Sequence, residues 1–298
     1  MKPVLVIGSS NTDMVIRLSR LPRPGQTISG GDFRVYSGGK GANQAIAARR
    51  AGGIVRFLGA VGDDDFGQSA IDLLSSEGID TSGVVRSKQV ASGVAMIFVS
   101  DAGENCIGVA PGANRCVTPE SLASQRSAFD EAGILLIQLE TPMKAVETAL
   151  AMAARRQLPV ILNPAPAAPL PDDLLQGLFC ITPNETEAEA LTGIGIDSLD
   201  DAVAAADALR AKGVQNVVIT LGARGALLLH AGGSDHRSAE PVEVVDTTGA
   251  GDTFNGVLAT MIVRGLPLSD AVGAAVRAAT VSVRSAGAVP SIPRLQDL

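Results

Sequence analysis

Short apolar runs of three to seven residues alternate along the chain with longer, alanine-rich stretches in which apolar residues recur at helical spacing. Runs this short and this uniformly apolar are typical of strands buried on both faces of a parallel sheet. The alternation therefore predicts an α/β fold, a doubly wound and mostly parallel sheet flanked by helices. The strands are expected at residues 4–7, 54–60, 134–139, 160–162 and 217–221. The helices are expected at residues 42–50, 67–77, 142–155, 184–191, 199–211, 251–264 and 268–283.

Two stretches, residues 15–36 and 92–109, interrupt this alternation and predict a second, smaller sheet. The later stretch has the pattern of a β-hairpin, two apolar runs joined by a polar turn. Because no long helix accompanies these strands, they are expected to project from the main body as a lid over a pocket. We therefore expect one domain over residues 1–298, with a lid formed by about 14–37 and 92–110 inserted in it.

The composition excludes several classes of partner. The chain carries 24 Lys and Arg residues against 31 Asp and Glu residues, a net charge of −7, so nucleic-acid backbones and anionic membranes are poor partners. Seven Phe and one Tyr, with no Trp, are too few to build a platform for stacking bases. No apolar run approaches the roughly 20 residues of a membrane span. We therefore expect neither nucleic-acid binding nor membrane insertion.

The cysteines and histidines narrow the chemistry further. Cys106, Cys116 and Cys180 are odd in number and form no CxxC pair, which fits a reducing cytoplasm and favours neither a disulfide framework nor a zinc site. With only His230 and His236 available, a multi-histidine metal centre or a histidine-based triad lacks its residues. Any catalytic acid or base is therefore expected to be a carboxylate.

The segment 246–254, Asp-Thr-Thr-Gly-Ala-Gly-Asp-Thr-Phe, carries the strongest local signal. It follows a strand-like run at 242–245 and opens a long alanine-rich helix. Gly249 and Gly251 let a ligand approach the backbone, and the free N–H groups of the first helical turn predict an anion hole. Asp252 beside such a hole is placed to take a proton from an attacking hydroxyl. The alternative is structural, with Asp252 complementing the helix dipole and the glycines making a turn.

Residues 37–45, Ser-Gly-Gly-Lys-Gly-Ala-Asn-Gln-Ala, form a second glycine-rich segment at the start of another helix. Its spacing matches neither a Walker A loop nor the GxGxxG motif of dinucleotide-binding folds. What remains is a loop with accessible backbone, in which Lys40 and Asn43 are donors suited to sugar hydroxyls. A glycine-rich turn with a solvated lysine is the alternative that these residues leave open.

Polar residues also follow other predicted strands, at the end of the sheet where ligands of open α/β folds bind. Asn11 and Asp13, after the first strand, are placed to hold neighbouring hydroxyls of a polyol, with a capping or turn pair as the alternative. Glu140, after the strand at 134–139, occupies an equivalent place, and its alternative is a helix-capping acid.

Two later segments, 183–187 and 220–225, also follow strand-like runs. The acids of the first, which begins Pro-Asn184 and ends at Glu187, are unfavourable near a phosphate unless a metal ion intervenes, so this segment predicts Mg²⁺. The second is a glycine turn suited to the close approach of a nucleotide, through Thr220, Gly222 and Gly225.

Together, the glycine loop at 39–43 and the segment 246–252 resemble, in order and separation, the paired signatures of the PfkB carbohydrate kinases. The resemblance covers essentially the whole chain, because further motifs fall in the expected order at residues 8–13, 138–140, 163–167 and 182–187. It implies ATP-dependent phosphorylation of the primary hydroxyl of a pentose, by a doubly wound enzyme whose small β lid also forms the contact of a homodimer.

The resemblance also implies a role for each matching residue. Asp252 is the base, and the anion hole of residues 249–252 stabilises the transferring phosphoryl group through the N–H groups of Ala250 and Gly251. The residues implied to hold the sugar are Asn11, Asp13, Gly39, Lys40, Asn43, Glu140 and Asp252. Those implied to organise phosphate and Mg²⁺ or to line the nucleotide are Asn184, Glu187, Thr220, Gly222, Gly225 and Gly251.

A monovalent-cation site beside the anion hole is a further implication of the resemblance. A K⁺ ion there would stiffen the loop that carries Gly249. The matching positions in this sequence are Asp246, Thr248, Ser282, Ser285, Gly287 and Ser291.

Other functions on the same scaffold stay open at this point. Substrates such as a 2-deoxy sugar, a ketohexose or a nucleoside are alternatives, although Asn11 with Asp13 favours a sugar that keeps its 2-hydroxyl. A noncatalytic sugar sensor is a second alternative, against which the retained Asp252 and its glycines argue. The third is an α/β protein whose glycines only make turns.

Overall fold

The predicted alternation of strands and helices is present along residues 1–297, the part of the chain that the computed structural model describes. Within these residues fourteen strands form: β1 (Val4–Ile7), β2 (Asn11–Leu18), β3 (Phe33–Gly38), β4 (Val55–Leu58), β5 (Ala60–Gly62), β6 (Val85–Ser87), β7 (Gly93–Ser100), β8 (Asn105–Ala110), β9 (Ile134–Ile137), β10 (Val160–Leu162), β11 (Cys180–Ile181), β12 (Asn216–Thr220), β13 (Ala226–His230) and β14 (Gly233–Arg237).

The helices connect these strands and follow the last of them. In the same part of the chain they are α1 (Lys40–Arg50), α2 (Asp65–Ser76), α3 (Pro119–Ala123), α4 (Arg126–Glu131), α5 (Met143–Ala154), α6 (Asp172–Leu175), α7 (Glu185–Thr192), α8 (Leu199–Ala211), α9 (Ala250–Val263), α10 (Leu268–Ser282) and α11 (Ala288–Ser291). None of these described helices is long and apolar enough to cross a bilayer.

Eight strands form the main sheet, in the order β14, β13, β12, β11, β10, β9, β1, β4. The six strands from β12 to β4 run parallel, and β13 and β14 extend one edge in antiparallel fashion. In the sheet, β4 lies next to β1 on one side and β9 lies next to β1 on the other side, so the strand order reverses at β1. Ligands of open α/β sheets bind at such a reversal, so the carboxyl ends of β1 and β9 mark the expected site.

Both faces of the main sheet are covered, as the doubly wound prediction requires. Successive residues of β1 serve opposite faces: Val4 and Val6 belong to the same hydrophobic cluster as residues of α1, α9 and α10, whereas Leu5 and Ile7 belong to the cluster that contains residues of α5 and α8. All four side chains are fully buried. Burying an aliphatic side chain of this size contributes about 1.5 to 3 kcal/mol, which is why the central strands are apolar throughout.

Helices α1 and α9 pack unusually close together, and this contact brings their first turns side by side. A Cβ atom at Gly256 of α9 would meet Gln44 O of α1 at 2.4 Å, so only glycine allows the approach. One turn further along, Thr260 Oγ1 donates to Ala48 O at 2.9 Å. The two helices therefore run in the same direction, and residues near Asn43 face residues near the start of α9.

A separate four-stranded sheet has the order β3, β2, β7, β8, and we call it the small sheet. Strands β7 and β8 form the predicted hairpin, whereas β2 pairs with β7 in parallel. Because side chains alternate between the faces of a strand, Asp13 and Met14 lie on opposite sides. The face of Met14 also carries Phe33, Val35 and Met96, which are 58%, 50% and 42% exposed.

Two expected strands are wrong in detail. The run 242–245 forms no strand, because its backbone pairs with no strand: Val245 N–H and Asp246 N–H both donate to Val283 O. Val244 and Val245 are 57% and 59% exposed. The run 54–60 is divided at Gly59, so that β4 stays in the main sheet while β5 pairs with β6 in a two-stranded sheet.

Asn11 and Asp13 do not form the capping or turn pair that was one alternative. Both lie on β2 of the small sheet, opposite Gly38 and Tyr36 of β3. A strand places them two residues apart on the same face, so both side chains are presented toward one region.

Candidate active site

The N-terminal turn of α9 leaves two backbone donors free. Gly249 precedes the helix with a φ of 79°, in the left-handed region, and a Cβ atom there would come within 2.9 Å of α11. Ala250 N–H donates to Thr247 O at 3.2 Å, whereas the N–H groups of Gly251 and Asp252 donate to no acceptor in the described chain. A Cβ atom at Gly251 would meet nothing within 4 Å. The turn is therefore open to an anionic ligand.

Asp252 is buried in this turn, against the first turn of α1. Its Oδ2 accepts a hydrogen bond from Asn43 Nδ2 at 2.9 Å, and its Oδ1 accepts one from Gln44 Nε2 at 3.0 Å. Burial raises the pKa of Asp252, while the charge of Lys40 and the two amide donors act in the opposite direction. The result is a carboxylate fixed in one orientation and more basic than an ordinary aspartate, as a proton acceptor requires. We call Asn43, Gln44 and Asp252 the Asp252 cluster.

A chain of buried amides continues from Gln44. Gln44 Nε2 also donates to Asn163 Oδ1 at 3.0 Å, and Gln44 Oε1 accepts from Gln138 Nε2. Asn163 Nδ2 in turn donates to Thr182 O at 3.2 Å. These bonds use the acceptor and both hydrogens of the Gln44 amide, which fixes its orientation toward Asp252. Gln44 was not predicted, although a polar side chain on a fully buried part of a helix is the signal that points to it.

The glycine loop before α1 lies against the end of β1. Gly39 has a φ of 91°, and a Cβ atom there would meet Asn11 N at 2.7 Å. Lys40 N–H donates to Glu140 Oε2 at 3.1 Å, and Ser9 Oγ donates to the same oxygen. The loop, the end of β1 and the end of β9 therefore meet at the predicted edge of the sheet.

The predicted sugar-side residues converge on this edge. Burial, together with the nearby charges of Glu140 and Asp252, raises the pKa of Asp13 to about 6. Asn43 Oδ1 is buried and accepts no hydrogen bond from any residue in 1–297. A buried amide oxygen without a partner is costly, and a ligand hydroxyl would satisfy it. Carboxylates and amides facing one space provide both acceptors and donors for the hydroxyl groups of a sugar.

The two residues predicted to organise phosphate, Asn184 and Glu187, satisfy each other. Asn184 Oδ1 accepts from Glu187 N at 2.8 Å, and Glu187 Oε2 accepts from Asn184 N at 2.9 Å, a capping box at the start of α7. Burial raises the pKa of Glu187, and Asp252 contributes in the same direction. Thr220 lies beside this turn, because its N–H donates to Pro183 O at 2.9 Å.

Gly222 and Gly225, the two predicted glycines of the neighbouring turn, are glycines for different reasons. A Cβ atom at Gly225, where φ is 90°, would meet Arg237 O at 2.0 Å, so the fold itself needs this glycine. Gly222, with a φ of 55°, has nothing within 4 Å of a Cβ position and leaves an open surface. We call Asn184, Glu187, Thr220, Gly222 and Gly225 the Asn184 group.

The Asn184 group does not form a metal cage by itself. Across residues 1–297, no group of three or more His, Cys, Asp or Glu side chains is arranged to hold a metal ion. Glu187 keeps one carboxylate oxygen outside the capping box. Because Mg²⁺ retains several waters and is bound largely by substrate phosphates, these residues fit Mg²⁺ carried on a nucleotide, with Glu187 as one protein ligand.

The residues predicted for a monovalent cation are brought together only in part. Asp246 Oδ1 accepts from Thr248 N at 2.9 Å and from Thr248 Oγ1 at 2.7 Å, and Asp246 Oδ2 accepts from Gly287 N at 2.8 Å. Burial opposes the effect, but these donors keep the pKa of Asp246 below its ordinary value. The hydroxyls of Ser282 and Ser291 donate elsewhere, to backbone carbonyls of their own helices, and Ser285 is exposed. Among these predicted side chains, Asp246 alone carries an anionic oxygen.

A cavity of about 620 Å³ separates the small sheet from the segment that carries Asp246. Asp13 and Tyr36 line it from the small sheet, and Thr248 and Gly287 line it from the body. Its volume lies within the usual range for small-molecule sites. Asp13, which lines this cavity, is also near enough to Asp252 for the charge of Asp252 to raise its pKa.

The family of the chain is clear from its full length. The model of the pfkB family carbohydrate kinases matches residues 1–295. The chain therefore belongs to the pfkB family of carbohydrate kinases, which confirms the resemblance carried by the two glycine-rich segments.

Individual relatives agree with this assignment. The ribokinase of Haemophilus influenzae is 40% identical over 296 residues, covering 99% of this chain and 97% of that protein. The deoxyribokinase of Salmonella typhimurium is 36% identical over 296 residues, covering 99% of this chain and 96% of that protein. The structure of Arabidopsis thaliana ribokinase complexed with ribose and ATP superimposes with a TM-score of 0.94 at 32% identity, over 99% of this chain and 97% of that one. The predicted fold class is thereby confirmed.

Proposed function

We propose that this chain transfers the terminal phosphoryl group of ATP to the primary O5 hydroxyl of D-ribose, giving ribose 5-phosphate and ADP. One observation carries the proposal: a buried, oriented carboxylate, Asp252, lies in a helical turn whose Gly251 and Asp252 N–H groups are free. A base and an anion site within one turn suit phosphoryl transfer to a hydroxyl. The two ribokinases described above support the choice of sugar.

Asp252 accepts the proton of the O5 hydroxyl as that oxygen attacks the γ-phosphorus and the bond to ADP breaks. The free N–H groups of Gly251 and Asp252 stabilise the charge of the phosphoryl group in transfer, and Gly249 holds the turn of this anion hole open. The predicted donor Ala250 N–H is bonded to Thr247 O and is not one of the free donors. The charge of Lys40 acts on the pKa of Asp252 in the opposite direction to burial and so favours the ionised form of the base.

The hydroxyl groups of the sugar are bound by carboxylates, which accept hydrogen bonds, and by amides, which donate or accept them. Asp13 and Glu140 accept hydrogen bonds from hydroxyls, and Asn11 donates to one. Asn43 Oδ1, buried and otherwise unpartnered within residues 1–297, accepts another. Gly39 and Lys40 complete the pocket, since the loop that they form lies against Asn11.

ATP lies along the Asn184 group, with its phosphates toward Gly251. Thr220, Gly222 and Gly225 line the nucleotide, and the open surface at Gly222 allows its backbone approach. Asn184 and Glu187 hold the phosphates and the Mg²⁺ that they carry. When bound, Mg²⁺ neutralises charge on the phosphate oxygens.

A monovalent cation, K⁺, binds beside the anion hole in this proposal. Asp246 is its anionic ligand, and backbone carbonyls near Thr248, Ser282, Ser285, Gly287 and Ser291 supply the rest. The hydrogen bonds that Asp246 accepts from Thr248 N–H and Gly287 N–H support this position, because they join the segment before Gly249 to the segment before α11.

We infer a cytoplasmic homodimer formed through the small sheet, which acts as the lid. Its outer face leaves Phe33, Val35 and Met96 exposed, and such an apolar face favours a second copy over solvent. Val35→Lys should then give a monomer in sedimentation velocity, whereas Ile54→Lys, an apolar position of equal exposure away from this face, should leave the dimer intact. A Val35→Lys protein that still sediments as a dimer would disprove the inferred contact.

The similarity to a deoxyribokinase makes 2-deoxy-D-ribose the second candidate substrate. The test measures coupled ADP release with ATP and Mg²⁺ against D-ribose, 2-deoxy-D-ribose, D-fructose and adenosine, in K⁺ and then in Na⁺. The proposal expects the highest kcat/KM with D-ribose and faster turnover in K⁺. Preference for another sugar would overturn the substrate assignment, and absence of any turnover would favour a noncatalytic sugar sensor.

A further inference from the structure

Asn11 is itself held by a residue that neither the motifs nor the mechanism involves. Asn114 Nδ2 donates to Asn11 Oδ1 at 2.7 Å, and Asn114 lies in the turn of a 3-10 helix, Gly112–Cys116, after β8. Asn114 is only 1% exposed, so it touches no solvent and does not reach the cavity. Its contact with the proposed sugar site passes through Asn11 alone.

The backbone of Ser10, whose N–H group cannot be exchanged for an acceptor by rotation, fixes the orientation of the Asn114 and Asn11 side-chain amides. Ser10 N–H, a backbone donor, is bonded to Asn114 Oδ1 at 2.9 Å, and Ser10 O accepts from Asn114 Nδ2 at 3.2 Å. The Asn114 side chain must therefore present its oxygen to Ser10 N–H and its NH₂ group to Asn11. Asn11 must in turn face Asn114 with its oxygen, which turns its own Nδ2 away. In the described chain, Asn11 Nδ2 donates to no protein group.

The space for this pair depends on Gly93, the first residue of β7. A Cβ atom at Gly93 would lie 2.2 Å from Asn11 Oδ1 and 2.5 Å from Asn114 Nδ2. Gly93 pairs directly with Asn11 across the parallel β2 and β7 strands. The absent side chain therefore leaves the gap in which the two amides meet.

We propose that Asn114 is a specificity-determining positioning residue, which fixes the Asn11 amide as a hydrogen-bond donor toward the 2-hydroxyl of the sugar. A hydroxyl that gives its proton to Asp13 can accept from Asn11 only if Nδ2 faces it. A sugar without that hydroxyl leaves the fixed N–H unsatisfied and is rejected. This inference rests on the proposed function.

The decisive variant is Asn114→Asp, assayed at about pH 8. An ionised carboxylate still accepts from Ser10 N–H but cannot donate to Asn11, so the Asn11 amide must rotate and present its oxygen to the sugar. We expect kcat/KM for D-ribose to fall about 10- to 100-fold, and that for 2-deoxy-D-ribose to change less than about threefold. The ratio of the two values should therefore fall at least about tenfold.

Three further variants separate positioning from damage to the fold. Gly93→Ala should lower the same ratio by crowding the pair, and it also serves if Asn114→Asp does not fold. Gln89→Glu makes the same change from amide to carboxylate at an exposed side chain and should leave the ratio unchanged. In an Asn11→Ala background, Asn114→Asp should have no further effect on the ratio, because Asn114 acts through Asn11.

The outcomes separate this inference from the proposed function. If the unmodified enzyme prefers D-ribose but Asn114→Asp and Gly93→Ala slow both sugars equally, the role of Asn114 is structural and the inference is overturned while the proposed function stands. If the unmodified enzyme does not prefer D-ribose, the proposed function fails and the inference fails with it.

Discussion

The Asp252 cluster and the Asn184 group both lie near the start of α9 but are built in different ways. In the Asp252 cluster, side chains more than 200 residues apart in sequence bind one another, as Asn43 and Gln44 do with Asp252. In the Asn184 group, the contacts are local: Asn184 and Glu187 cap their own helix, and Thr220 pairs with the backbone beside it. Asp252 is buried, whereas Asn184 and Gly222 are exposed.

The difference teaches where rigidity is needed. A general base must meet one hydroxyl at one angle, so its orientation is fixed by buried hydrogen bonds, which are strong in a region of low dielectric. A nucleotide brings its own charge, metal ion and water, so an open surface of backbone groups is sufficient. Substitutions in the Asp252 cluster should therefore have large effects, and substitutions of exposed side chains that lie beside the Asn184 group should have small ones.

The largest effect is expected for Asp252→Asn. The amide keeps the size of the side chain but cannot accept a proton, so kcat should fall about 10³-fold or more, while ribose binding measured by calorimetry changes little. Asp270→Asn is the matched control, because Asp270 occupies the same third position of α10 but is exposed. If both variants lost activity equally, or if Asp252→Asn kept near-normal turnover, Asp252 would be a dipole partner and not the base.

Gln44→Met should have the next largest effect. The substitution removes the two hydrogen bonds that Gln44 Nε2 donates to Asp252 and Asn163, and it keeps the length of the side chain. We expect kcat to fall about 10- to 100-fold. Because the Gln44 hydrogen bond lowers the pKa of Asp252, its loss raises that pKa, and the acidic limb of the pH profile should move to higher pH. Gln68→Met, at an exposed position, is the control. A loss of rate with an unmoved pH profile would mean that Gln44 only supports packing.

Gln44 also shows how much of the site the sequence predicts. The residues in glycine-rich motifs, such as Lys40 and Asp252, were predicted, because glycine near a helix start has a local physical meaning. Gln44 and Asn114 were not, because each acts through a partner about 100 or more residues away that only the fold brings close. A single sequence holds no trace of such pairs beyond a polar residue in an apolar surrounding.

The fold, like the site, was predicted where a local sequence pattern determines the structure and not where distant strands do. Buried parallel strands were identified because their runs are apolar throughout, whereas the run 242–245 looked alike and forms no strand. Whether an apolar run becomes a strand depends on whether its backbone pairs with a neighbouring strand, and here Val245 N–H donates to Val283 O instead. Asn11 and Asp13 likewise lie on a strand because β7, far along the chain, pairs with them.

Asp13→Asn tests whether the buried charge of Asp13, near Glu140 and Asp252, lowers the free energy of unfolding. The pKa of Asp13 is raised to about 6, so its ionisation disfavours the folded state, and the stability present at low pH is lost as the pH rises through about 6. Asp13→Asn should therefore raise the free energy of unfolding by about 1 to 2 kcal/mol at about pH 7 and by little at about pH 4. Urea titrations at both pH values measure this, with exposed Asp101→Asn as control. If Asp13→Asn changed the free energy of unfolding by the same amount at both pH values, the result would contradict the raised pKa of Asp13.

The smallest effect is expected beside the Asn184 group, for Arg224→Gln. Arg224 donates to Glu185 and to Asp197 O, yet the Arg224 and Glu185 side chains are 38% and 40% exposed. Water and salt screen such a pair, so the free energy of unfolding should change by less than about 1 kcal/mol, and less still in high salt.

The same substitution at a buried ion pair is the matched control. Arg50 binds Glu77 where both side chains are nearly buried, at 12% and 10% exposure, and it also donates to Val289 O and Ile292 O. Arg50→Gln should therefore cost about 3 kcal/mol or more in urea unfolding, because it leaves Glu77 and two carbonyls without their donor. If the two substitutions cost the same, exposure would not be what separates a rigid region of this molecule from a tolerant one, and the contrast between the Asp252 cluster and the Asn184 group would need another cause.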